Sequence, residues 1–353
     1  MYTLPSLKPF SDLDRYFSIL SPEKPTFLEP YIESPLVQRL RGVGLLCGTD
    51  WTPLYHNRFF YTRFHHSIGT ALITWHFTKS KKQTIASLLH DVSTPAFSHV
   101  SDFRKGDALT QEATESENSQ MIESDPYLST RVFEDGLYAK EISDYHKYAI
   151  CDNEVPRLSS DRLEYMFPSG MALDASWDIA AVERAYNDIT VLQAEDGTAE
   201  LGFTTAELAA DYCARACSIG LILQKNENKL ALNLMGDIIN TALKAAMIEE
   251  HDLYEKSEEE LMKHFGAEAS RAPDTRFAAL FRTFTGMTAI QHTDTPLSGA
   301  YCVSLDVKKR YINPLVRTPD GAKRVTAVSA AASAAVQQFL AFNDTKYGCV
   351  TLL

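Results

Sequence analysis

The chain has 353 residues, ample for one large domain or two smaller ones, and 45% hydrophobic with 23% charged residues is the composition of a globular protein rather than a disordered one. A net charge of -12 argues against broad nucleic-acid binding, which needs a basic face. No apolar run is long enough to cross a bilayer, and the N-terminus MYTLPSLKPFSDLDRYF lacks the regions of a signal peptide, so a cytoplasmic protein without a membrane partner is expected. The cysteines Cys47, Cys151, Cys213, Cys217, Cys302 and Cys349 contain no CxxC, which argues against a zinc ribbon and against a disulfide framework.

In chain order, the first strong helical pattern is HSIGTALITWHF, headed by His66, with Ile68, Ala71, Leu72 and Trp75 at steps of three and four. The next is KKQTIASLLHDV, where Ile85, Leu88, Leu89 and Val92 share a face and Pro95 stops the helix. The acidic stretch from about 105 to 126 reads as a loop with a short helical face carrying Gln111, Glu112 and Glu115. In PRLSSDRLEYMF, Pro156 and Ser159 or Ser160 are the helix-start residues of a helix that turns Leu163, Met166 and Phe167 inward. Two strands, Ile189 to Gln193 and Leu201 to Thr204, flank an Asp196-Gly197 turn. Residues 204–248 are helical by period, with Cys213 and Cys217 as packing residues, and another helix begins after Ser257. A soft boundary falls near 265–275, followed by β segments at Tyr301 to Val307 and Arg310 to Val316 and an Ala-rich helix at about 327–342. The basic run VKKRYINPLVRTPDGAKR is either a solvated edge or a source of cations for an anionic ligand.

Four residues on these helices carry metal-ligand chemistry: His66, the doublet His90-Asp91, and Asp161. Two imidazoles with two carboxylates suit a divalent cation and leave positions open for water and a phosphate oxygen. The bland alternative makes His66 a satisfied core histidine and Asp161 a first-turn residue favoured by the helix dipole. A second doublet, His251-Asp252, is surrounded by charge with no apolar run before it and reads as a chance pair.

The strings Arg63-Phe64-His65-His66-Ser67-Ile68-Gly69, Leu89-His90-Asp91-Val92 with Pro95-x-Phe97-Ser98-His99, and Asp161-Arg162-Leu163-Glu164-Tyr165 resemble the HD-domain phosphohydrolases. Within that superfamily the pattern is most similar to the deoxynucleoside triphosphate triphosphohydrolase branch, whose Q-R-L-R element matches Gln38-Arg39-Leu40-Arg41. The motifs span roughly residues 35–170. The resemblance implies His66, His90, Asp91 and Asp161 as ligands, with His66 rather than His65 because it precedes Ser-Ile-Gly. It also implies His99 and Asp102 as a proton-transfer pair and Arg39, Arg63, Arg162 and Tyr165 as substrate contacts. The chain departs from the branch at Thr94, where a histidine is expected, at Glu115, where a catalytic histidine is expected, and at Leu45, where a sugar-contacting glutamine is expected. Threonine has no proton that titrates near neutrality, which leaves Glu115 as a candidate general acid or base and Thr94 as a substrate contact.

The expectation is a mainly α fold: an HD-domain helical bundle over 1–270 with small β elements, and a smaller mixed α+β C-terminal region over 271–353 packed on it. The expected function is metal-dependent phosphohydrolysis of a nucleotide, most closely of a deoxynucleoside triphosphate. The alternatives are another small phosphate ester or a non-catalytic, nucleotide-sensing protein. The expected cofactor is one divalent metal ion, drawn from Mn, Fe, Mg, Ni, Co or Zn, and self-association is left open.

Overall fold

The computed structural model describes residues 3–106, 108–109 and 115–353, with the backbone alone at 115 and 116. Among the described residues the chain is mainly helical with two small sheets. Helix Arg63–Thr78 starts at Thr62, whose hydroxyl accepts from the His65 N–H, and packs along helix Lys81–Leu89. The apolar stripe between them, with Phe64, Ala71, Ile85 and Leu88, forms one core. On its other side, Leu72 and Ile73 join Met166 and Phe167 of helix Ser160–Leu173 in a second core. A third core brings Trp51 and Phe97 against helices Asn226–Lys244, Glu258–Arg271 and Arg276–Gly286.

Strands β1 (Ile189–Gln193) and β2 (Ala199–Phe203) form the expected antiparallel hairpin, with Gly197 at a φ of 83° in the turn. β2 continues in parallel to β5 (Leu315–Thr318), and β5 pairs with β6 (Gly321–Arg324). The second sheet sets β7 (Tyr347–Thr351) between β3 (Gln291–Thr293) and β4 (Ala300–Val303). Residues after 270 therefore contribute to a sheet begun at 189 and to two of the cores, through Val316 and Phe339 in one and Phe281 and Val303 in the other.

Three local expectations change. Helix Glu258–Arg271, started by a capping box between Ser257 and Glu260, runs through the first half of the soft boundary at 265–275. The segment 304–314 carries no regular structure, because its backbone is tied by single bonds, Lys308 N–H to the Ala108 carbonyl and Asn313 N–H to the Pro156 carbonyl, rather than by a ladder. Cys302 and Cys349 face each other across β4 and β7 and are joined in a disulfide, a pairing that their separation of 47 residues concealed. Cys213 and Cys217 are buried packing residues. Among the described residues, no helix is long and apolar enough to cross a membrane.

Candidate metal centre

His66 stands in the first turn of its helix, at the seam between two cores, and is 1% exposed. His90 follows the last residue of helix Lys81–Leu89, and Asp91 opens the irregular loop beyond. Asp161 occupies the first turn of helix Ser160–Leu173, whose N-cap Ser159 accepts from the Arg162 N–H. Three helix ends thus deliver the donors. His66 Nε2 lies 3.2 Å from His90 Nε2 and 3.0 Å from Asp161 Oδ1, and His90 Nε2 is 3.5 Å from the same oxygen. Asp91 Oδ2 is 3.7 Å from each imidazole nitrogen.

The outer nitrogens decide which way the lone pairs face. His90 Nδ1 is 2.7 Å from the Ser87 carbonyl oxygen, an acceptor only, so Nδ1 carries the proton and the neutral ring turns a bare Nε2 inward. His66 Nδ1 is 2.5 Å from Glu164 Oε2, which has the same effect. Two lone pairs and two carboxylates then face one point, an arrangement that repels itself unless a cation neutralises it. Burial opposes protonation of His66, yet hydrogen bonding to Asp161 and Glu164 raises its pKa to about 10, so the pocket favours positive charge. Burial also disfavours the Asp91 carboxylate, but Arg63 and the two histidines hold its pKa well below the usual range. This donor set, with its nitrogens oriented from behind, fits a divalent cation.

Glu164 has no role in the motif reading, although it stands three residues after Asp161 among Leu163, Met166 and Phe167. A carboxylate on an apolar helix face is the signal that marks it. It is fully buried and accepts from Tyr16 (3.1 Å) and Tyr61 (2.6 Å) as well as facing His66. Gly69 makes room for it, since a Cβ there would collide with the Glu164 side chain. Glu258 is a second carboxylate that the motifs do not mark. It accepts from Trp51 Nε1 at 2.6 Å and from the backbone N–H groups of Gly44 and Phe97 at 2.9 Å each. Phe97 and Ser98 both adopt positive φ, 64° and 53°, so Glu258 secures a strained loop. From that loop Ser98 Oγ donates to the Gly44 carbonyl and accepts from Arg63 Nε at 2.9 Å, while Arg63 Nη1 pairs with Asp91 at 2.6 Å.

The cluster opens on a cavity. His99, Thr94, Arg63 and Tyr165 line it. His99 Nδ1 is 2.9 Å from Asp102 Oδ2, and burial lowers the His99 pKa against the pull of that carboxylate. Thr94 Oγ1 donates to Asp91 Oδ1 at 3.1 Å. Tyr165 follows Asp161 by one helical turn, and Ser169 and Leu173 continue the same lining stripe. Arg39 and Arg162 are engaged away from the wall: Arg39 donates to the carbonyls of Val92 (2.7 Å) and Thr94 (2.5 Å), and Arg162 grips Asn153 and pairs with Asp152 at 3.2 Å. Glu115 opens helix Glu115–Ser124, but its side chain lies outside the described residues, as do Gln111 and Glu112. Leu45 lines the cavity, and so do Lys308 and Arg310 from the basic run.

Two other histidine clusters carry different chemistry. His251 is largely exposed, and Asp252 pairs with Lys256 at 2.9 Å. His292 sends one ring nitrogen to Glu227 and the other to Asp344, each at 3.0 Å. A single imidazolium bridging two carboxylates accounts for that contact and ties β3 to the start of helix Asn226–Lys244.

No family model matches the chain. A stretch of 146 residues is 30% identical to the uncharacterized protein YdhJ of Bacillus subtilis, a match that spans 39% of this chain and 41% of that protein. A hypothetical protein from Aquifex aeolicus superposes with a TM-score of 0.60 at 14% identity, over 94% of this chain and 93% of its own. A phosphohydrolase from Bacteroides thetaiotaomicron superposes with a TM-score of 0.59 at 14% identity, over 91% of this chain and 94% of its own. Over nearly its whole length, this chain therefore shares its fold with a solved phosphohydrolase.

Proposed function

We propose that the chain is a metal-dependent phosphohydrolase of the HD type acting on a nucleotide, most closely a deoxynucleoside triphosphate. The observation that carries this reading is the convergence of His66 Nε2, His90 Nε2, Asp161 Oδ1 and Asp91 Oδ2 on one point at the wall of a cavity. These four residues would hold a divalent cation, which supplies Lewis-acid polarisation of a phosphate oxygen and a lowered pKa for bound water.

The protein's own groups do the rest. Arg63 fixes Asp91 and presents its guanidinium to the cavity, where it offsets negative charge developing on phosphate. Asp102 holds His99 Nδ1, which leaves Nε2 to exchange a proton with the substrate. Thr94 orients Asp91, and Tyr165 packs against the sugar. Arg39 and Arg162 act by holding the loops that carry Thr94 and Asn153. In the reaction a water oxygen bonds to the α-phosphorus, the bond from that phosphorus to the 5′ oxygen breaks, and the 5′ oxygen takes up a proton. The products are nucleoside and triphosphate.

Elemental analysis and product chromatography test the reading together. The purified protein is expected to carry close to one divalent metal per chain, lost in Asp91→Ala and retained in Asp252→Ala. Incubation with deoxynucleoside triphosphates is expected to yield triphosphate. Equal metal content in wild type and Asp91→Ala would end the metal assignment. Release of only nucleoside diphosphate and orthophosphate would replace the triphosphohydrolase reading with that of a stepwise phosphatase.

A further inference from the structure

Asp161 is the donor that the packing of the two histidine-bearing segments does not place. Its side chain is 29% exposed, against 12% or less for His66, His90 and Asp91, and it sits in the first turn of a separate helix. Backbone N–H groups in a first turn have no acceptor within their own helix; those of Ser160 and Asp161 reach back to the Ile150 and Cys151 carbonyls at 2.8 and 3.3 Å. A site residue has to be held within about 0.5 Å of its productive place. For Asp161 that task falls to the chain that enters its helix.

Three successive residues of this entry are bonded to the four-stranded sheet or to the segment leading into it. The Pro156 carbonyl accepts from the Asn313 N–H at 2.9 Å, two residues before β5. Arg157 donates to Thr198 Oγ1 at 3.0 Å and pairs with Asp196 at 2.7 Å, both in the turn between β1 and β2. The Leu158 N–H donates to Glu200 Oε1 at 3.1 Å. Glu200 lies on β2 and is fully buried.

The other partners of Glu200 are cations. Arg324 on β6 grips both its oxygens, Nη1 to Oε1 at 2.6 Å and Nη2 to Oε2 at 2.8 Å, and Arg157 Nε stands 3.9 Å away. Arg324 Nη1 also donates to the Asn313 carbonyl at 3.0 Å. One guanidinium thus fixes both the side chain that holds Leu158 and the residue that holds Pro156. A buried ion pair adds little stability over an apolar pair of the same volume, whereas a planar fork on a carboxylate sets orientation. Geometry is what this pair contributes.

We propose that Glu200 and Arg324 are positioning residues of the metal centre: they set the entry to helix Ser160–Leu173 and so fix the distance of Asp161 from His66 and His90. The inference rests on the metal reading of that cluster and adds two residues, on β2 and β6, that lie outside every motif. The β5–β6 hairpin thereby takes part in metal binding without touching the ion.

The test uses the metal-free full chain, titrated with Mn²⁺ for affinity and with Co²⁺ for its visible spectrum, which reports the ligands around the ion. The decisive variant replaces both partners, Glu200→Leu with Arg324→Met, because exchanging a buried ion pair for apolar residues leaves stability near that of wild type while it removes the acceptor for Leu158. With urea unfolding as the control, Mn²⁺ affinity is expected to fall about tenfold or more, and the Co²⁺ spectrum to move toward that of Asp161→Ala. Glu195→Gln, which alters the exposed partner of the same arginine, is expected to keep wild-type affinity and spectrum. Should the double variant fail to fold, Arg324→Lys is read in its place. An ammonium keeps the charge but cannot hold both Glu200 oxygens and the Asn313 carbonyl together, so affinity is expected to drop about threefold or more.

Wild-type affinity in the folded double variant, or in Arg324→Lys, would overturn the positioning role, as would an affinity loss that leaves the Co²⁺ spectrum unchanged. Asp91→Ala separates this outcome from failure of the metal reading. A wild type that binds Mn²⁺ and loses it in Asp91→Ala, with the double variant unaffected, keeps the metal centre and sinks the pair, whereas a wild type that binds neither ion ends both.

Discussion

His66 Nδ1 lies 2.5 Å from Glu164 Oε2, and the carboxylate behind it is fully buried and bonded to two tyrosines. The imidazole therefore cannot rotate or change tautomer without breaking a closed network. Glu164→Gln keeps the volume and an acceptor but removes the charge that strengthens the bond. Affinity for Mn²⁺, measured by titration of the metal-free protein, is expected to fall about 10- to 100-fold. An unchanged affinity would show that the Tyr16–Tyr61–Glu164 network serves packing alone.

Glu258 gathers three N–H donors in a site without water access. Burial pushes its pKa up, while the three donors favour the ionised form. Removing the side chain leaves those donors unpaired and frees the Phe97–Ser98 loop from its strained conformation. Glu258→Ala is expected to lose roughly 3 kcal/mol or more of unfolding free energy in urea titrations. The same variant should loosen the Ser98–Arg63–Asp91 chain and weaken metal binding. Glu258→Gln, which keeps an oxygen for one or two of the donors, should lose less.

Asp50 gives the protein a pH-dependent stability. Burial raises its pKa from 3.8 to about 7; Asn57 donates to Oδ1 at 2.9 Å, and Oδ2 is buried without a partner among the described residues. Well below pH 3.8 the side chain is protonated in both the folded and the unfolded chain and contributes no difference. Between about 4 and 7 the unfolded chain releases the proton while the folded one keeps it, so stability declines as pH rises, by an amount on the order of 4 kcal/mol. Asp50→Asn is expected to flatten that decline in chemical denaturation series between pH 4.5 and 7.5. Parallel curves for wild type and variant would assign the pH dependence elsewhere.

His99 and Glu115 compete for the proton-transfer role, and kinetics separates them. His99→Asn is expected to lower kcat by about 10² to 10⁴ with metal content intact, because the ring nitrogen facing the cavity is the group that titrates. Thr94→Ala should lower turnover much less, through the loss of one hydrogen bond to Asp91. Glu115→Gln is expected to lower turnover as well, with metal content intact, since its carboxylate is the other candidate for moving the proton. A collapse of turnover in Glu115→Gln with little change in His99→Asn would transfer the role to the carboxylate.

The helices were legible because an apolar stripe with a 3.6-residue period and a polar cap is a local property: Ser159 and Ser257 cap where the pattern places them, whereas the helix read from His66 begins one turn earlier, at a Thr62 cap. The hairpin at Asp196-Gly197 was legible for the same reason. The four candidate ligands stood out because each sits at a helix end within a recognisable string. Nothing local marks Glu164, Tyr16 and Tyr61 as one network, since Tyr16 is 148 residues from Glu164 and the three meet only when helices pack. Arg39 and Arg162 show the converse. Their neighbours in sequence suggested phosphate contacts, but packing placed backbone carbonyls and side-chain oxygens within reach of both guanidiniums. The basic run left two destinations open in the sequence, and packing used both: Lys308 and Arg310 line the cavity, while the exposed Lys309 donates to the Leu340 carbonyl. Period and caps act over one or two turns, whereas which side chains share a cavity depends on contacts between residues more than a hundred positions apart.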